Sequence, residues 1–134
     1  MTRPAPGRFA LIAGALSGGC AVAAGAFGAH GLKAMLAASG QTENWETASR
    51  YAVFHALAIL ATGLLARLPA PPPHGLLRAA TACLLVGMLI FSGCLATLAV
   101  TGIKMLGAIV PIGGVLLIAG WALLALAASK LRAA

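Results

Sequence analysis

The sequence predicts an all-α membrane protein: a four-transmembrane-helix bundle with a short interfacial helix between spans one and two. Of its 134 residues, 61% are hydrophobic and only 8% charged, against about 25% charged in a typical soluble domain. The apolar residues fall into four blocks, and the nine Lys and Arg flank those blocks. Flanking cations are topology signals, whereas a nucleic-acid binder gathers its cations on one soluble face or element. The net charge of +7 therefore implies no nucleic-acid partner. The expected partner is the lipid bilayer, and the length leaves room for one domain, 1–134.

Span one is expected at about 9–29. A basic lead with Arg3, Pro4, Pro6 and Arg8 precedes nineteen uncharged residues, Phe9 to Phe27, nearly the hydrocarbon thickness at about 1.5 Å per residue. A cleaved secretory signal is disfavoured, because the run exceeds the roughly 7 to 15 residues of a signal core. Gly14 and Gly18 have the small-xxx-small spacing that lets another helix come close. Glycine and alanine dominate the run, so span one is expected at the centre of the bundle.

The segment 31–50 is the longest polar stretch and holds both acidic residues, Glu43 and Glu46. Leu32, Met35 and Leu36 stand at helical spacing and predict a short amphipathic helix that Ser39-Gly40 ends. Thr42 or Asn44 is the expected cap of the next helix, with Trp45 at the membrane boundary.

Span two is expected at 47–67. Only sixteen uncharged residues, Tyr51 to Ala66, separate Arg50 from Arg67. Either the arginines snorkel or the helix begins earlier, near Asn44, with Glu46 and Arg50 at its mouth. Pro69, Pro71, Pro72 and Pro73 then predict a stiff loop through Gly75. Spans three and four, expected at 78–102 and 105–129, each have twenty-five uncharged residues and a tight turn between them. Pro111, Gly113 and Gly114 predict a helix break, as a kink or local unwinding, in span four.

Four crossings put Arg3, Arg8, Arg67, Arg78, Lys130 and Arg132 on one side and Lys33, Arg50 and Lys104 on the other. The positive-inside bias places the first group, with both termini, in the cytoplasm. Cys20, Cys83 and Cys94 lie inside apolar blocks and read as small buried hydrophobes rather than a disulfide framework.

This topology predicts a polar cluster on the outer half of the membrane, formed by His30, Glu46, Arg50, Tyr51, His55 and Ser92. His55 is the sharpest candidate, because an ionisable side chain within a span needs a partner or a function. Its structural reading is a neutral ring bonded to a backbone carbonyl or to Ser92. Its functional reading is a proton or ligand site. Glu46 and Arg50 are i,i+4 neighbours and read as an interfacial ion pair. His74 reads as a solvated residue of the proline loop. No catalytic triad order, Gly-x-Ser-x-Gly or His-Glu-x-x-His spacing is present, so no catalytic residue is assigned.

The stretches Gly25-Ala-Phe-Gly-Ala-His-Gly-Leu32, Tyr51 through His55-Ala-Leu, Phe91-Ser-Gly93, Pro111-Ile-Gly-Gly114 and Gly120-Trp121 occur in one order along nearly the whole chain. In this they resemble the small membrane proteins of domain of unknown function 423, a family that also includes the eukaryotic transmembrane protein 256 group. The resemblance implies a four-helix integral protein of the bacterial plasma membrane with no activity to carry over. Two positions depart from the family pattern. Cys94-Leu95-Ala96 stands where the family usually continues to a tyrosine, and Val110 where it often has threonine. Both departures shift weight to His30, His55 and Ser92.

The expected function is a non-enzymatic structural or accessory bundle, self-associating or attached to a larger membrane complex, without a cofactor. One alternative is a small transporter, channel or ligand binder with an outward-facing polar pocket. Another is haem or metal binding through His30 and His55.

Overall fold

The computed structural model describes residues 5–131; Arg3 and Arg132 of the topology count lie outside them. Five helices follow one another: α1 (Arg8–Ala29), α2 (Lys33–Ala38), α3 (Thr42–Leu65), α4 (His74–Thr101) and α5 (Met105–Ala128). Four of them are long and apolar enough to cross a membrane, and α2 is the short helix between the first and second.

The ends of the helices follow from backbone chemistry more than from charge. Gly7, at φ 74°, starts α1, and the left-handed region suits a residue without a Cβ. At the far end of α1, the Leu32 N–H donates to the Phe27 carbonyl at 2.9 Å. Helix α2 closes on Gly40, at φ 67°, with Gln41 N–H on Leu36 O at 2.8 Å and Gly40 N–H on Ala37 O at 3.2 Å. These are the two bonds of a Schellman ending.

Helix α3 starts at Thr42, five residues before the expected 47, because no proline or glycine interrupts the chain after Gly40. The cap position is Gln41, not Thr42 or Asn44; the Asn44 amide instead donates to Gln41 Oε1 at 2.7 Å. Likewise α4 starts at His74 rather than 78, directly behind Pro73 at its cap position. Arginine limits how deep a segment lies in lipid, but only the prolines forbid the helix. His74 therefore belongs to the first turn of α4 and is exposed.

Neighbouring helices run antiparallel and form a row in the order α1, α3, α4, α5, with α3 and α5 also touching. Glycines set the close approaches. A Cβ added at Gly14 would stand 2.9 Å from Ala56 O, and one at Gly63 would stand 2.9 Å from Leu11 N, so α1 and α3 meet nearly backbone to backbone. Gly87, Gly113 and Gly120 do the same between α4 and α5. Such small-residue seams gain packing where lipid removes the hydrophobic incentive to associate.

Span one is not central. Its glycine face is used once, against α3, while Phe9, Ile12, Leu16, Val22 and Phe27 are exposed. The enclosed helix is α3, with Ala56, Ala58 and Ile59 in the core alongside Ala80, Leu84 and Met88 of α4. Helix α5 runs unbroken through Pro111, and the expected unwinding is absent. Gly113 stands so close to Phe91 and Gly87 of α4 that a Cβ would lie 2.5 Å from Phe91 N. Cys20 is exposed rather than buried, and Cys83 and Cys94 are half-buried, all as free thiols.

Candidate functional site

His55 sits in mid-α3, about 20 Å along the axis from Thr42 by helix rise, and only 5% of it is exposed. Its Nδ1 lies 2.6 Å from the Tyr51 carbonyl oxygen one turn earlier. A carbonyl can only accept, so Nδ1 carries a proton, and in the neutral tautomer with that proton the lone pair lies on Nε2. Nε2 has no protein partner among the described residues. Ser92 Oγ is the one side-chain atom there that is both sealed and unbonded, so Nε2 retains an opening.

That opening is a groove of about 790 Å³ between α3, α4 and α5. Its walls combine aromatic rings with leucine, isoleucine and alanine side chains. The Tyr51 ring stacks on Phe91 at 4.7 Å and on His55 at 5.8 Å. Trp121 of α5 stands edge-on to His55 at 6.2 Å, and Phe54 is edge-on to Tyr51 at 6.5 Å. Offset and edge-to-face arrangements at these separations are favourable pairings. Gly114, the second glycine after Pro111, lines the groove where a larger residue would fill it. The result is a recess of rings and aliphatic side chains whose lining residues carry three polar groups: His55 Nε2, the Tyr51 hydroxyl and the Trp121 indole N–H.

The six polar candidates do not form one cluster. Tyr51 and His55 share the groove. Glu46 and Arg50 pair at 3.8 Å one to two turns further out, with side chains 60% and 62% exposed. His30 is exposed and caps the end of α1, its N–H on Ala26 O. Gly28 packs on the Trp45 indole, which levels His30 with the start of α3, roughly 16 Å along the axis from His55. The pair therefore offers no common site for a haem or a metal. Among the described residues, no three His, Cys, Asp or Glu side chains converge.

Ser92 faces the other way. It is 8% exposed and lines a second groove of about 370 Å³ between α1, α3 and α4, beside Trp45, Ser49 and Ser17. Thr97 and Thr101 hold carbonyls of their own helix at 2.8 and 2.7 Å, as hydroxyls in apolar helices commonly do. Ser92 makes no such bond.

Several contacts have no counterpart in the sequence reading. Trp121, Phe91 and Phe54 stand in the family motifs, but nothing in the sequence placed their rings around His55. Thr62 and Thr81, buried polar residues inside two apolar blocks, bond to one another at 2.7 Å between α3 and α4. Trp45 reaches α1, donating from Nε1 to Ala24 O at 2.9 Å.

Four spanning helices with short links and a groove lined by rings define a small polytopic membrane protein. The family model described as protein of unknown function (DUF423) matches residues 24–114, and the chain belongs to that family. It is similar to a UPF0382 membrane protein of Staphylococcus saprophyticus, at 42% identity over 90% of this chain and 97% of the relative. Relatives in Staphylococcus epidermidis and Staphylococcus aureus are 42% and 40% identical, each over 90% of this chain and 94% of their own length. No solved structure matches the chain. The matched segment contains His30, His55, Ser92 and Pro111 but ends before Trp121.

Proposed function

We propose that this protein is a non-enzymatic binding component of the bacterial plasma membrane that holds a lipid-soluble molecule in the His55 groove. One observation carries the reading: a buried imidazole, fixed by its own helix, presents an unbonded Nε2 to an apolar recess. The ligand class that fits is a ring-bearing amphiphile with one hydroxyl or N–H donor. The rings supply area and orientation, and Nε2 supplies an acceptor for the ligand's donor. Among the described residues no carboxylate pairs with the imidazole, which favours binding over catalysis. Six basic residues at the terminal side against three opposite favour cytoplasmic termini.

Nonylphenol and its methyl ether test this, because they differ only in the donor. In lipid nanodiscs, the phenol quenches Trp121 emission saturably and binds about three- to tenfold tighter than the ether, the worth of one net hydrogen bond. His55→Phe erases that difference. Equal binding of phenol and ether to the unaltered protein contradicts the reading.

A second reading, an accessory role in a larger membrane complex or a homo-oligomer, is favoured by Ser92. Ser92 lines the small-residue groove between α1 and α4, a surface on which a partner helix could pack closely. Native mass measurement in gentle detergent tests it. A bare monomer that never carries a partner would count against it.

A further inference from the structure

We infer that the terminal-side cleft between α1 and α4 is a binding site for an anionic phospholipid, with its phosphate at the mouth and an acyl chain on the floor. The cleft encloses about 1,100 Å³. It exists because α1 and α4 both pack on α3 rather than on each other.

The floor is dry. Thr62 and Thr81 lie there, but one hydroxyl donates to the other, which donates to its own helix carbonyl, Ile59 O or Leu77 O, so both protons are engaged. With that polarity satisfied, the walls present mainly alanine and the Leu77 side. Such a surface accepts a hydrocarbon chain and gives a free ion nothing.

The mouth is cationic. Arg8 opens α1, His74 opens α4, and Arg78 follows one turn later; all three line the cleft and are exposed. Neither α1 nor α4 has a side-chain cap or an acidic residue in its first turn, so their unpaired N–H groups add partial positive charge at the same end. The chain has only two acidic side chains, Glu43 and Glu46. Both stand at the opposite end of α3, with Glu46 roughly 24 Å from Thr62 by helix rise. That exceeds the Debye length of about 8 to 10 Å. Neither acidic side chain neutralises the mouth, which suits an anion from outside. Basic recesses between spanning helices suit phosphate headgroups, and arginine holds a phosphate through two N–H bonds.

The test uses the full chain in mild detergent, offered equal phosphatidylglycerol and phosphatidylcholine, with retained lipid read by native mass. Phosphatidylglycerol is retained preferentially, and inorganic phosphate does not displace it. The double change Arg8→Gln with Arg78→Gln lowers retention about twenty-fivefold, at roughly fivefold per cation. Arg67→Gln with Lys130→Gln removes the same charge outside the cleft and leaves retention unchanged. Ala82→Phe fills the chain slot with both arginines in place and also lowers retention, so the inference stays testable if the arginine variant is poorly folded. Equal retention of the two lipids overturns the inference, as does an equal loss in the Arg67/Lys130 variant. Displacement by inorganic phosphate overturns the acyl-chain half of it.

Discussion

Tyr51 and His55 are joined twice. The Tyr51 carbonyl accepts from His55 Nδ1 at 2.6 Å, and the two rings stack at 5.8 Å. The first contact fixes which ring nitrogen is protonated, and the second fixes where the ring points. An i,i+4 pair on one helix thus holds the imidazole without help from another span. Tyr51 in turn leans on Phe91 of α4, so the position of α4 governs the width of the groove.

The glycine seams are expected to be selective. Gly113→Ala places a methyl 2.5 Å from the Phe91 backbone nitrogen, where no side chain can yield. It is expected to cost about 1 to 3 kcal/mol, the range for overpacking. Gly93→Ala meets nothing within 4 Å and is expected to be neutral or stabilising by up to about 1 kcal/mol. Thermal unfolding of the two variants in the same detergent compares them directly.

Helix existence and order were legible in the sequence because apolar runs between charges and prolines leave few alternatives. Packing was not. The glycines of α1 suggested a central helix, yet their single face meets one neighbour, and the bulky residues between them face outward. Sequence also gathered His30, Glu46, Arg50, Tyr51, His55 and Ser92 by depth alone. Depth says nothing about azimuth: Phe91 and Ser92 are adjacent on α4 but line different grooves. The departure at Cys94 drew attention to Ser92, while the aromatic wall around His55 carried no polar signal.

The Thr62–Thr81 bond is expected to couple α3 to α4. Thr62→Val and Thr81→Val each leave the other hydroxyl bonded to its own helix carbonyl. A double-mutant cycle is therefore expected to return a coupling of about 0.5 to 2 kcal/mol, the range for interhelical bonds in membranes. A coupling of zero would mean that each hydroxyl is satisfied by its own helix.

Ser92→Ala is expected to leave the isolated protein as stable or more stable by about 1 kcal/mol, because it removes a buried hydroxyl with no partner. Denaturation in detergent gives the sign. A clear loss would show that Ser92 bonds a group in solution.

The Glu46–Arg50 pair is long and exposed on both sides. Glu46→Gln is expected to leave stability unchanged at moderate salt, since such pairs are weak and screened. Unfolding curves at low and high salt check this.

The central claim is that His55 keeps Nδ1 protonated and offers a bare Nε2 to the groove. Nitrogen magnetic resonance of histidine-labelled protein in bilayers reads this tautomer directly, with His30→Gln and His74→Gln removing the other two histidine signals. The expected spectrum has His55 protonated on Nδ1, with an Nε2 resonance that moves when nonylphenol is added. A His55 protonated on Nε2, or an Nε2 resonance indifferent to the phenol, contradicts it.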